Sequence, residues 1–161
     1  IRKITGLPTS IKWPNDVLVS GKKAAGILVE TVAEGPEVCY SVVGIGINIT
    51  MDDADAAALD GQATGLEQAA GRPIARAAVL RQLLTDLDSL YLQVTAGKSP
   101  QPEWVGLLDT LGKRVRVTWR DETWVGQAEQ VDEMGNLLLR LDDGTLVTMT
   151  AGDVSLHGPE A

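Results

Sequence analysis

Between residues 74 and 95, apolar side chains recur at steps of three and four: Leu80, Leu83, Leu84, Leu87, Leu90, Tyr91 and Val94. That spacing follows the 3.6-residue turn and predicts one long amphipathic helix with a stripe to bury. On both sides of it the pattern is that of strands. Upstream, apolar runs at 11–13 with 16–19, at 24–32 and at 38–49 are joined by Ser20-Gly21-Lys22 and Ala33-Glu34-Gly35-Pro36. Links this short cannot carry a crossover, so consecutive strands must pair antiparallel as hairpins. Downstream of Gly112 apolar and polar residues alternate through Val115, Val117 and Trp119, then Val125 and Ala128, then Leu137, Leu139 and Leu141, then Leu146 and Val147. Short alternating strands with a hairpin signal at Asp142-Asp143-Gly144 predict a small closed barrel, which leaves no exposed sheet edge. The expected class is therefore α+β: a mixed, largely antiparallel sheet packed by helices over residues 1–110, and a β-barrel over 111–161.

Smaller features fit between these. Ile1-Arg2-Lys3-Ile4-Thr5-Gly6 reads as the last turn of a helix, with basic residues at its negative end and a glycine after it. Ile1 is accordingly expected to be a cut or processed start. Residues 51–63 are acidic and alanine-rich, without a firm period, and read as a surface loop. A short helix containing Trp104, Leu107 and Leu108 follows the Gly97 to Pro102 break. Trp104, Trp119 and Trp124 are expected in the core or the barrel seam.

Composition narrows the function. A chain of 161 residues with 44% apolar content can bury one good core and a small second one. Its net charge of −8 argues against nucleic acid as the main partner, since phosphate backbones need a basic face. Residues 1–24 reverse that sign, holding Arg2, Lys3, Lys12, Lys22 and Lys23 against Asp16 alone. An anionic ligand is expected there. Cys39 is the single cysteine, so no internal disulfide forms; its apolar neighbours predict a buried strand position and a reducing, cytoplasmic setting. No run approaches the roughly 18 apolar residues of a membrane span. His157 has no second histidine or cysteine cluster beside it and reads as a surface residue.

Three clusters could carry chemistry. Lys12-Trp13-Pro14-Asn15-Asp16 sets a cation, an amide and a carboxylate around a proline that forces a turn. Such a corner suits a phosphate ligand carrying magnesium, with Asp16 for the metal or a proton. Its bland alternative is a plain turn with Trp13 as a core anchor. In Lys22-Lys23-Ala24-Ala25-Gly26-Ile27, Lys23 stands three residues before a glycine that opens an apolar strand, where a ligand can approach the backbone. A hairpin turn with two solvated lysines explains the same residues. In Val43-Gly44-Ile45-Gly46-Ile47-Asn48, alternate glycines bare one strand face, and Asn48 at the strand end could bond a base or phosphate; packing of the 74–95 helix against that face is the bland alternative. The pair of glycines lacks the third glycine and following helix of a dinucleotide fingerprint.

In this order and within this short span, the three clusters resemble the catalytic domain of biotin protein ligases, and the helix, the Trp104 segment and the terminal barrel continue the resemblance along the chain with an SH3-like domain. It implies formation of biotinyl-5′-AMP from biotin and Mg2+-ATP, then transfer of biotin to a lysine of a biotin carboxyl carrier domain. It further implies Lys23 and Asp16 as catalytic residues, Lys23, Gly26, Ile27, Gly44 and Gly46 around biotin, Lys12, Asn15, Asp16 and Asn48 at the nucleotide, and Asp16 at Mg2+. A homodimer through the sheet would also follow. The arginine- and glycine-rich loop that family members carry upstream has no counterpart after Ile1, and no aromatic in 51–66 offers an adenine stack. The chain is thus expected to hold part of the catalytic domain. A docking or dimerisation module and a lipoate-type ligase are the alternatives.

Overall fold

The computed structural model describes residues 1–35, 37–52 and 61–156. His157 and most of the acidic 51–63 segment lie outside the described residues. By internal contacts the chain forms two compact units, residues 1–10 with 15–92, and residues 11–14 with 93–161.

In the first unit, helix α1 (Arg2–Thr5) ends at Gly6, whose φ of 76° lets its amide donate back to the Arg2 carbonyl. Strands β1 (Thr9–Lys12), β2 (Asp16–Val19), β3 (Lys22–Glu34) and β4 (Glu37–Ile47) form a sheet in that order. β2, β3 and β4 pair antiparallel, as the short links require. The β2–β3 turn is Ser20-Gly21, and both residues have positive φ, which matches the twist of a two-residue hairpin. Helices α2 (Leu66–Ala70) and α3 (Arg76–Thr95) follow. Val19, Ala24, Leu66, Ile74 and Val79 make the core of this unit, with Ile4, Leu7, Ile47 and Ile49 packed around them. α3 thus lies on the sheet face that presents Ile47.

In the second unit, α4 (Gln101–Val105) precedes strands β5 (Arg114–Trp119), β6 (Glu122–Val131), β7 (Leu137–Leu141), β8 (Leu146–Met149) and β9 (Asp153–Leu156). They form one antiparallel sheet in the order β8-β7-β6-β5-β9. The alternation read from the sequence is the burial pattern: Val115, Val117, Ala128, Leu137 and Leu139 are fully buried, joined by Met149, Val154, Leu108 and Trp13. No pairing among the described residues joins β8 to β9, so the expected closure is not seen there.

Three expectations are corrected. The α3 stripe is not buried along its length: Val79 is the buried residue of that helix, while Leu80, Leu84, Leu87, Leu90, Tyr91 and Val94 are exposed. Cys39 is exposed, in a stretch of β4 whose residues on both faces meet solvent. Trp119 is exposed too, with the Arg120 guanidinium 5.6 Å from its ring. The cause is shared. A periodic apolar pattern specifies a face to be covered, and among the described residues nothing covers these faces.

Candidate functional site

The arrangement around Lys23 begins with a slip in strand register. Asp16 pairs with Gly26 and Val17 with Ala25, but Leu18 pairs with Lys23 and Val19 with Lys22. One residue of β3, Ala24, is therefore extra, and β3 carries a bulge. In an uninterrupted ladder Lys23 would stand opposite Val19. The bulge moves it opposite Leu18, and Leu18 shares a face with Asp16 because strand side chains alternate. Lys23 Nζ consequently reaches Asp16 Oδ1 at 2.6 Å. The Asp16 side chain is 12% exposed and that of Lys23 is 49% exposed, so the carboxylate is largely enclosed while the ammonium still meets solvent.

The bulge is anchored through the backbone. The Lys23 amide donates to the Gln62 carbonyl at 2.8 Å, and the Lys23 carbonyl accepts from the Thr64 amide at 2.9 Å. The Ala24 carbonyl accepts from the Asn48 amide at 2.8 Å, and the Asn48 carbonyl in turn accepts from Leu66, the first residue of α2. Groups displaced from the β2–β3 ladder thus keep partners, as buried backbone requires. Nothing in the sequence marks Gln62, Thr64 or the bulge.

Register also places the glycines. Gly46 pairs with Gly26, and Gly44 with Leu28, so Gly26, Gly44 and Gly46 lie on the face that carries Asp16 and Lys23. Ile45 and Ile47 point to the opposite face, toward Val79 of α3. The bland explanation of the bare face, close packing by the long helix, is not what the structure shows. A floor without side chains lies beside an ammonium–carboxylate pair. Ile27, one residue on from Gly26, faces the other way.

The remaining candidates are held differently. Asn15 Nδ2 donates to the Ile27 carbonyl at 2.6 Å and the Ile27 amide returns a bond to the Asn15 carbonyl, tying the end of the motif to β3. Asn48 lines a cavity of about 450 Å3 on the helix side with Ile45, Ile47, Ile49, Arg76 and Leu83. Near it, Glu67 accepts from the Ile74 amide and from Thr50, and these bonds, the first above all, hold its carboxyl below the usual carboxylate range. Lys12 clusters with the second unit, its Nζ 3.7 Å from Asp153 Oδ1. Trp13 is 1% exposed; its Nε1 donates to the Gly135 carbonyl and its amide to Thr110 Oγ1, both at 2.9 Å. For Trp13 the core-anchor reading holds.

Among the described residues no group of three or more His, Cys, Asp or Glu could form a metal cage. Nor is any helix long and apolar enough to cross a membrane.

Residues 1–48 match the biotin/lipoate A/B protein ligase family, and residues 110–157 match the biotin protein ligase C-terminal domain. The two matches together mark the class, a biotin- or lipoate-type ligase module. Within that class, the chain belongs to the biotin protein ligases. It is 37% identical over 147 residues to the bifunctional ligase/repressor BirA of Bacillus subtilis, covering 89% of this chain and 45% of that protein. It is 34% identical to the biotin–[acetyl-CoA-carboxylase] ligase of Mycobacterium tuberculosis, covering 91% of this chain and 52% of that one. The apo biotin protein ligase of Aquifex aeolicus superposes with a TM-score of 0.80 at 26% identity, covering 97% of this chain and 68% of that chain. The same enzyme in complex with biotin and ATP gives 0.75 at 26% identity, covering 97% of this chain and 65% of that one. The chain spans about half the length of the curated relatives it matches.

Proposed function

We propose that this chain carries the adenylate-forming face of a biotin protein ligase, in which biotin and ATP give biotinyl-5′-AMP and pyrophosphate, and a carrier-domain lysine then takes the biotinyl group. The observation that supports it is the Lys23–Asp16 pair standing beside the bare Gly26–Gly46 floor. In the first step a biotin carboxylate oxygen bonds the α-phosphorus and the bond to pyrophosphate breaks. In the second, the acceptor lysine nitrogen bonds the acyl carbon, AMP departs and the lysine loses a proton. Negative charge on phosphate oxygens grows in the first step, and a fixed ammonium next to it is worth most there.

Lys23 would hold the biotin carboxylate and that growing charge, over a floor made by Gly26, Gly44 and Gly46 with Ile27 behind it. Lys12, Asn15 and Asn48 would contact the nucleotide. Magnesium needs few protein ligands when phosphates bind it, so a lone carboxylate suffices, and Asp16 would supply it. The carrier domain of a biotin-dependent carboxylase is the acceptor, in the cytoplasm. Residues 1–110 would act as the catalytic part and residues 111–161 as the SH3-like domain.

The test is incubation of the chain with biotin, Mg2+-ATP and a carrier domain, reading pyrophosphate release that depends on biotin. Release at the rate of a no-biotin control counts against the reading.

The exposed apolar residues Leu28, Val29, Val42 and Val43 favour a second role, docking of a carrier domain or of a second copy. Calorimetry against the carrier without nucleotide separates it, since heat should then appear without ATP.

A further inference from the structure

Gly26 sits where Asp16 and Lys23 come together, and its missing side chain leaves room for them to meet. A Cβ built on Gly26 would lie 3.3 Å from Lys23 Cε, 3.4 Å from Lys23 Nζ and 3.5 Å from Asp16 Oδ1. Carbon–carbon contacts are most favourable at about 3.5–4.0 Å, so a methyl group here would press on the lysine tip, the one mobile member of the pair. By contrast a Cβ on Gly44 or Gly46 would meet only backbone and Leu28, at 3.7 Å or more. The three glycines are therefore not equivalent. Two keep a strand face open, and the third makes room for an ion pair.

Two further features fix where the Lys23 side chain starts and which face it takes. Its backbone is clamped on both sides by Gln62 and Thr64. The Ala24 bulge also directs its side chain to the Asp16 face, where Gly26 is the residue directly across the ladder from Asp16. The ammonium thus lies against the Asp16 carboxylate and over Gly26, and its remaining sides meet solvent.

We propose that Gly26 is a positioning residue for Lys23: its bare α-carbon opposite Asp16 is what seats the ammonium on the carboxylate and aims it along the glycine floor. The role in the reaction rests on the ligase reading above; the seating itself does not. Valine at this strand position favours the extended backbone, so Gly26→Val should not weaken the strand by propensity. It should displace the ammonium.

The experiment is acylation of surface amines in the 161-residue chain, without biotin or nucleotide, followed by peptide mass spectrometry. Lys22, one residue earlier in β3, is the internal reference. In the unmodified chain Lys23 should react more slowly than Lys22, and Asp16→Asn should remove that protection. Gly26→Val should raise Lys23 reactivity to the Asp16→Asn level, about fivefold, the population effect of losing a partly exposed ion pair. Gly26→Ala should give a smaller rise, and it decides the matter if the valine variant does not fold. Unchanged Lys23 reactivity in a folded Gly26→Ala or Gly26→Val chain overturns the proposal, even if biotin binding is lost, because Gly26 would then be plain floor. Where turnover is measured, Gly26→Val should lower kcat more than it raises KM for biotin, and should add nothing to Lys23→Met. A chain that shows the protection but neither binds nor activates biotin would remove the ligase reading and leave the seating intact.

Discussion

Lys23 and Asp16 are joined at 2.6 Å across a strand pair whose regular register would have kept them on opposite faces. The lysine is therefore a product of the bulge as much as of its own identity, and its charge is delivered to one place on the sheet. Lys23→Met keeps the length of the side chain and removes the charge. Loss of a single fixed donor to transition-state charge costs on the order of 10²–10³-fold in rate. A fall of that size is expected in biotin-dependent pyrophosphate release, with an unchanged far-ultraviolet circular dichroism spectrum. A fall below tenfold would mean that Lys23 is not the group that meets the charge.

Removal of Ala24 tests the bulge itself. Without the extra residue the two strands pair with no slip, Asp16 with Gly26, Val17 with Ala25, Leu18 with Lys23 and Val19 with Lys22, so Lys23 keeps the face of Asp16. What the deletion removes is a fully buried alanine and the carbonyl that accepts from the Asn48 amide. Protection of Lys23 from acylation should therefore persist, while the melting temperature of the chain falls. Loss of that protection would show that the bulge itself, and not only the face on which it leaves Lys23, seats the ammonium.

Trp13 belongs to the core rather than to the chemistry of its motif. It is among the largest fully buried side chains, packed in the cluster of Val115, Leu137 and Leu139. Trp13→Ala should cost about 3–5 kcal/mol by cavity formation. Trp13→Phe retains most of the ring and loses the bond to Gly135, which should cost about 1 kcal/mol. Chemical denaturation followed by the remaining tryptophans measures both. Near-equal losses in the two variants would contradict the packing argument.

How far these features could be read in advance depends on whether local pattern determines them. The hairpins between residues 16 and 47 were legible because two-residue and short glycine turns leave no other connection, and Gly6 because a helix end needs a left-handed residue. Leu137 and Leu139 were legible from alternation. The bulge was not, since Ala24 and Ala25 have no property that distinguishes an inserted residue from a paired one. Exposure at Cys39, Trp119 and Leu84 was equally hidden, because periodicity reports a face and not what lies over it. Among the candidate residues, Lys23, Asp16, Gly26, Gly44 and Gly46 are brought to one face by register, whereas Trp13, central to its motif, turned out to anchor the second unit.

Asp132 gives the second unit an acid dependence of known sign. Asn136 binds it twice, through its side-chain amide and its backbone amide, and the Met134 amide adds a further bond; together they hold the Asp132 carboxyl below its ordinary value of 3.8. A carboxyl whose folded-state pKa is depressed stabilises the fold fully above its unfolded-state pKa and loses that contribution as pH falls through the folded value. The window therefore lies below about pH 4. Asp132→Ala removes the bonds at every pH, so its melting temperature should lie below that of the unmodified chain at pH 7. The gap should narrow as pH is lowered through that window. Gly135, with φ of 83°, sits inside the same turn and presents the carbonyl that Trp13 binds, so Asp132→Ala should also raise the exchange rate of the Trp13 indole proton. A gap in melting temperature that stays constant from pH 7 to pH 3 would show that the Asp132 carboxylate does not hold the turn.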